Sequence, residues 1–537
     1  MSPGRVASRT RYQRLATADD AKDDAGDATV ETPLHGRDVD DIASDDGRDR
    51  TVVLTEDDNK RILHKTDRVI LSLLVWVYLL QILDKTILGY SAIFGLREDT
   101  GLEGNQYSIV GSIAPFAQLA WQPFSSVLIV KVPHRILMPS LVLGWGLAQA
   151  TTPLCRSFVG LLVNRFFLGI FEAGCLPLFS IITGQWYRRS EQPTRVAVWY
   201  GTNGLATIIA ALLSYSLGGI QSSILAPWQI IFLFTGLITV ASVPVIYWRL
   251  DNDIPSARFL TEEEREQALE RLRANQTGVG SRELKWDQVK EAFVDIKTYL
   301  FIAMSLANNL GAQVTNTFGP IILSGFGFDK YKTTLLNIPF GAIQYAVILA
   351  VALAAVKMRW KSLALIVIII PIIIGLVMLY ILPRDGKTGP LLAGYYLLAF
   401  IFGGNTLIVA WILANTAGQT KKSAMMSLYN AASSTGNIIG PLLFDAADAP
   451  TYLPGLRTTL GVFIAMAVAV LLQVGYLVML NKEQARRRVE NGKPAEIHDH
   501  SMDSEYVDIH ADNVGDIGEQ AFADLTDRQN DEFIYVY

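Results

Sequence analysis

The chain has 537 residues, of which 50% are hydrophobic and only 18% charged, with a formal net charge of −5 at pH 7. A composition so apolar over such a length excludes an ordinary soluble enzyme. The basic residues stand at the ends of apolar runs rather than clustered on one face, which excludes a nucleic-acid footprint.

Residues 1–64 are rich in Asp, Ala, Thr and Arg and nearly free of aromatic residues. Such a stretch cannot bury enough apolar surface to offset its ordering entropy, so a disordered cytoplasmic tail is expected. The first apolar run begins near Val69, too late for a cleavable signal peptide. Twelve apolar segments follow, centred near Tyr78, Gln118, Gly146, Gly169, Ala206 and Thr239, then Asn308, Val347, Ile370, Ala399, Ser434 and Val468. Each is about 20 residues long, the length a helix needs to cross the hydrocarbon core with some tilt.

The expected fold is an all-α membrane protein of twelve transmembrane helices in two six-helix halves, residues 65–250 and 298–482. A cytoplasmic linker, 251–297, joins them, and a second disordered tail, 483–537, follows. In the linker Thr261 and Glu264 stand at capping-box spacing before an amphipathic helix. A second amphipathic stretch, 286–295, is expected to lie along the membrane face. Bases concentrate in alternate short loops, among them Lys131, Arg135, Arg188, Arg195, Lys357 and Lys421, which places both termini in the cytoplasm. The sequon Asn275-Gln276-Thr277 falls in the linker and would then be unused. Cys155 and Cys175 fit neither a metal spacing nor a disulfide framework.

Only four charges lie deep in the apolar runs: Asp84 and Lys85 in the first, Arg165 and Glu172 in the fourth. Each costs at least about 2.5–3.5 kcal/mol at mid-bilayer, so each belongs in a wet or paired interior. Arg165 and Glu172 are nearly two helical turns apart, so they share a face about 10 Å apart along the axis. Gly169, Ala173 and Gly174 beside them would let a neighbouring helix approach closely. The adjacent Asp84 and Lys85 point about 100° apart and cannot meet one partner. The four charges sum to zero: two cations to attract an anion, two carboxylates to hold or release a proton. The second half offers amides and aromatics instead, among them Asn308, Asn309, Gln313, Asn405, Trp411, Asn415 and Tyr429. Singly such amides often serve only to bond neighbouring helices. No phosphate loop, nucleophile elbow or metal cluster is present, so neither an enzyme nor a cofactor is expected.

The strings LDKTILGYSAIFGL (83–96), NRFFLGIFEAGCLP (164–177) and QWYRRSEQPTRVAVWYGTNG (185–204) carry a specific resemblance. With ARFLTEEER (257–265), FGPIILSGFGF (318–328), NTAGQTKK (415–422) and the tail string DLTDRQNDEFIYVY (524–537), the chain resembles the fungal allantoate permease family. That family is the anion:cation symporter branch of the major facilitator superfamily. The resemblance implies alternating access and proton-coupled uptake of a small carboxylate, vitamin or ureide by a plasma-membrane monomer. By analogy with related organic-anion transporters, Arg165 would contact the substrate anion and Glu172 would respond to protons; from their place in the spans, Lys85, Asn308, Asn309, Gln313, Asn405, Trp411, Asn415 and Tyr429 are expected as further substrate contacts. Glu172 and Asp84 would carry the proton. VKVPHR (130–135) departs from the superfamily pattern by lacking its Gly and Asp, so gating contacts are expected to differ. An exporter of a secondary metabolite, or a nutrient receptor that keeps the fold, are the alternative readings.

Overall fold

The structure is a computed structural model that describes residues 56–188, 191–273, 285–357, 360–383, 388–497 and 525–537. The tail expected over 1–64 lies almost wholly outside the described residues, and the sequon at Asn275 entirely so. The regular structure described is helical throughout.

The long helices are α1 (Asp57–Ile93), α2 (Gln106–Lys131), α3 (His134–Thr151) and α4 (Phe158–Trp186, interrupted at Ala173 and Gly174). Next come α5 (Gln192–Gly218), α6 (Pro227–Arg249), α7 (Ile296–Ser324) and α8 (Asn337–Lys357). The last are α9 (Lys361–Ile381), α10 (Thr388–Ala414), α11 (Gln419–Leu442) and α12 (Leu453–Glu490). Among the described residues, eight helical passages are long and apolar enough to cross a membrane: those of α1, α4, α5, α6, α8, α9, α10 and α12.

The other four long helices are shorter or more polar for a physical reason. α7 packs along α11, and the pair reaches α1 and α2. On α7, Ser305, Asn308, Asn309, Thr315 and Thr317 are accordingly buried against protein rather than lipid, where an amide or hydroxyl can find a partner. α2 also carries Pro115 and Pro123 within its length.

Helix contacts fall into two groups. In the first, α1 packs on α5, α2 on α4 and α3 on α6; in the second, α7 packs on α11 and α12, and α9 on α12. The groups meet where α5 touches α8, α2 touches α11 and α1 touches α7. Close backbone approach holds these seams. A Cβ on Gly204 would lie 2.5 Å from the Gly341 carbonyl oxygen, and one on Gly89 would lie 2.9 Å from that of Asn316. Gly169 sits directly against the Ala114 carbonyl of α2, as its small neighbours in sequence suggested.

One end of the bundle bears the linker helices; the far end bears the opposite loops. At the far end the two groups are stitched together. The Tyr107 hydroxyl donates to the Thr317 carbonyl (3.1 Å), Ser108 to that of Phe444 (2.6 Å) and Tyr331 to that of Gly218 (3.2 Å). The Phe94 and Tyr331 rings meet edge to face at 5.8 Å.

The linker helix Glu262–Arg273 begins with the expected capping box: the Glu264 amide donates to Thr261 Oγ1 and the Thr261 amide to Glu264 Oε2. Lys65 Nζ pairs with Glu264 at 2.7 Å, fastening this helix to α1. The second linker helix, Trp286–Val294, turns Trp286, Phe293 and Val294 outward and ties Glu291 to Lys421 of α11 at 2.8 Å.

The expectation of a disordered tail over 483–537 is corrected at both of its ends. α12 continues as helix to Glu490, and residues 525–537 are packed against the bundle, with Thr526 and Asp527 at 0% exposure and Tyr535 at 2%. Asp527 meets buried lysines there, and Phe533, Tyr535 and Tyr537 supply apolar surface.

Candidate functional site

The four deep charges gather from α1 and α4. Lys85 Nζ lies 3.7 Å from Glu172 Oε2, and the Gln118 side-chain amide donates to that same oxygen at 2.6 Å. Glu172 thus ties α4 to α1 and α2. Asp84, one residue along, cannot follow Lys85; it is fully buried, and neither of its carboxylate oxygens has a hydrogen-bond partner among the described residues. The 100° rotation between adjacent helical positions accounts for this division.

Arg165 is 3% exposed, with its guanidinium carbon 5.4 Å from the centre of the Phe232 ring. That contact offers the cation a face of negative quadrupole. Its Nε and Nη2 have no hydrogen-bond partner among the described residues, and neither has Glu172 Oε1. A buried guanidinium with donors unsatisfied by protein is suited to a bidentate carboxylate. α4 enters from the far end at Phe158, so Arg165 lies about 10 Å into the helix and Glu172 about 10 Å deeper.

A second, uncharged group lies across α7, α10 and α11. Asn309 and Asn405 exchange amide hydrogen bonds at 3.0 Å each way. The Tyr429 hydroxyl donates to Asn405 Oδ1 at 3.0 Å, and Asn405 Nδ2 donates to the Tyr200 hydroxyl of α5 at 3.2 Å. Tyr200 lies 5.8 Å from the Tyr78 ring, whose hydroxyl accepts from Asn203. Asn405 therefore joins the second group of helices to the first at mid-bundle. Thr207 donating to Gln344 at 2.9 Å does the same between α5 and α8.

The remaining expected residues go elsewhere. Asn308 is buried against Gly404, where any Cβ would collide with its amide, and its Nδ2 has no partner among the described residues. Gln313 bonds within its own helix to Thr317. Trp411 and Asn415 are not in the Asn405 group; both donate to the Val536 carbonyl of the C-terminal segment, at 2.8 and 2.9 Å. Sequence reasoning passed over Gln118 as a partner of Glu172, and Tyr200 as the first group's link to the amides. Tyr200 lay within one of the strings that carried the family resemblance. Among the described residues no cluster of three or more His, Cys, Asp or Glu could hold a metal ion.

The family model described as Major Facilitator Superfamily matches residues 74–441. The chain belongs to that superfamily. This major facilitator protein is 32% identical over 487 residues to the "Thiamine pathway transporter THI73" of Saccharomyces cerevisiae, covering 89% of this chain and 86% of that one. It is 29% identical to the "Allantoate permease" of the same yeast, covering 90% and 88%, so the resemblance read from the sequence strings holds. It is 30% identical to the "MFS-type transporter cnsL" of Penicillium expansum, covering 86% and 90%. Among solved structures, its fold is similar to that of a bacterial homologue of the human lysosomal transporter Spinster, in an inward-facing and unoccupied conformation. There the TM-score is 0.57 at 13% identity, covering 78% of this chain and 97% of that one. The superfamily protein is thus a multi-pass membrane transporter and not an enzyme.

Proposed function

We propose that this transporter carries a small organic anion together with a proton, by alternating access of two six-helix halves, 65–250 and 298–482. The observation that carries this reading is Arg165, a buried guanidinium whose Nε and Nη2 have no partner among the described residues, near the Lys85–Glu172 pair. A carboxylate entering the bundle loses its hydration and needs a positive partner. Arg165 supplies two parallel donors, Lys85 a second positive charge, and Glu172 or Asp84 the proton.

Counted with α2, α3, α7 and α11, the spans number twelve, which puts both ends and the linker on the cytoplasmic side. The far-end stitches at Tyr107, Ser108 and Tyr331 then close the outer face, so the conformation faces inward. The Asn309–Asn405–Tyr429 group offers donors and acceptors to the uncharged part of the solute. The relatives' printed names include a thiamine pathway transporter and an allantoate permease, which favours a nitrogen-rich carboxylate or vitamin precursor.

The test is growth of a knockout strain on a panel of carboxylates, vitamins and ureides, followed by uptake of the positive compound at several pH values. Uptake that rises as the outside is acidified supports the reading. Uptake confined to neutral or cationic solutes contradicts it.

A further inference from the structure

Residues 525–537 occupy a built cleft on the second six helices, at the linker end. Asp527 is inserted between Lys297 of α7 and Lys421 of α11; all three side chains are fully buried, and Lys421 Nζ lies 2.9 Å from Asp527 Oδ1. At the other end of the segment the Val536 backbone pairs with the Asn415 side chain in both directions, at 2.8 and 2.9 Å, as one strand pairs with another. Between these anchors the Gln484 amide donates to the Asp527 carbonyl and Asn481 to that of Tyr535, both from α12. The hydrogen bonds described for the segment go to the second group of helices and to Glu291 of the linker helix: one set to α12 and the residues after it, the other to Trp411, Asn415 and Ala417 around the turn between α10 and α11.

The charge balance bears on whether the segment is a core piece or a ligand. With it docked, Lys297, Lys421 and Arg528 face Glu291, Asp295 and Asp527, three charges against three. Its departure removes one of each sign, Arg528 and Asp527, and leaves two against two. Breaking a buried ion pair is severe when one charge is left alone. Within this buried cluster none is; beside it Lys493, paired with Asp531 and Glu532 at 3.0 and 2.8 Å, would lose both acids but is itself partly exposed.

We propose that the second six helices carry a peptide-binding site at the linker end, filled by the chain's own residues 525–537, and that docking holds the α10–α11 turn against α7 and α12. The ligand class is a peptide with a buried aspartate and a backbone-pairing aromatic end. The site is distinct from the solute site and does not rest on the transport reading. It deepens that reading in one respect: the held turn lies at the end that must open and close in alternating access.

Local pH does not release the segment near neutrality. Burial pulls the Asp527 carboxyl up, but Lys297 and Lys421 outweigh it and hold the carboxyl below its ordinary value. A group depressed in the docked state stabilises docking at every pH above its ordinary value, about 4, and ceases to as pH falls through the docked value. The other charged or titratable groups facing it are Asp295, Glu291, Arg528 and Tyr535.

The experiment uses purified transporter lacking residues 525–537 and a fluorescent synthetic peptide of that sequence. The expected result is saturable one-to-one binding, constant from pH 8 to 5, and weakened at least tenfold by Asp527→Asn in the peptide or Lys421→Gln in the transporter. Added peptide should slow hydrogen exchange at 411–421 and leave α1 to α6 unchanged. No saturable binding by a monodisperse truncated protein, or equal binding by the Asp527→Asn peptide, overturns the proposal. Should the truncated protein fail to fold, exchange in full-length Asp527→Asn decides. A rise of fivefold or more confined to 526–536 and 411–421 supports the site; exchange unchanged there, or raised equally in both halves, overturns it.

Discussion

Arg165 and Lys85 are both cations in the bundle, yet the structure gives them different work. Lys85 already holds Glu172 at 3.7 Å, whereas Nε and Nη2 of Arg165 have no partner among the described residues. Arg165→Lys keeps the charge but removes the planar fork, and is expected to lose most transport, roughly tenfold or more in Vmax/KM, since a bidentate contact is lost. Lys85→Arg should be milder. Measured uptake of the identified solute by both variants at equal surface expression checks the order. Glu172→Gln should abolish accumulation driven by an inward proton gradient while preserving exchange of solute down its own gradient. If it still concentrates solute, the proton rides on Asp84. The positions of these four residues were legible in the sequence, because charge inside an apolar run is rare and helical geometry fixes its phase. Their partners were not. Spacing linked Arg165 with Glu172 on one face, whereas a residue from another helix, Lys85, took the carboxylate, and tertiary packing decides that choice.

At the scale of helices, two seams and one cap invite tests. The α5–α8 seam leaves no room for a side chain at Gly204, where a Cβ would lie 2.5 Å from the Gly341 carbonyl oxygen. Gly204→Val forces the backbones apart and is expected to cost about 1–3 kcal/mol as overpacking, seen as a lowered melting temperature of the purified protein. A seam that tolerated valine without loss would mean the two halves part there in the resting state. The linker helix responds to acid instead. Burial pulls the Glu264 carboxyl up, but Lys65, the Thr261 amide and Arg61 outweigh it and hold the carboxyl below its ordinary value. Its contribution to docking the helix on α1 is present above the ordinary value, about 4.3, and is lost as pH falls through the folded value. Limited proteolysis of the linker should be flat from pH 8 to 5 and faster below, and Glu264→Gln should be fast throughout. This cap was readable as Thr-x-x-Glu, a local signal. The docked segment at 525–537 was not, because the polar composition of the surrounding tail masked its three aromatic residues and Asp527, whose lysine partners Lys297 and Lys421 lie on α7 and α11.

For the whole molecule, length and hydropathy together separate eight passages from four more polar helices. The run count over the sequence nonetheless reached these four as well, since helices facing protein keep enough apolar residues to stand out. The far-end stitches join α2 to α7 and α11, and α5 to the helix before α8. If they close the outer gate, Tyr107→Phe and Ser108→Ala together should shift the resting population outward, read as faster labelling from outside of a cysteine placed at Asn105. The proposed function stands on the joint movement of an organic anion and a proton through the Arg165–Glu172 region. The most direct measurement is internal pH in liposomes holding the purified transporter and a pH-sensitive dye, challenged with the panel of carboxylates. A transported carboxylate should acidify the lumen with wild-type protein, and Glu172→Gln should abolish this. Uptake of the same compound with no change in internal pH would contradict it.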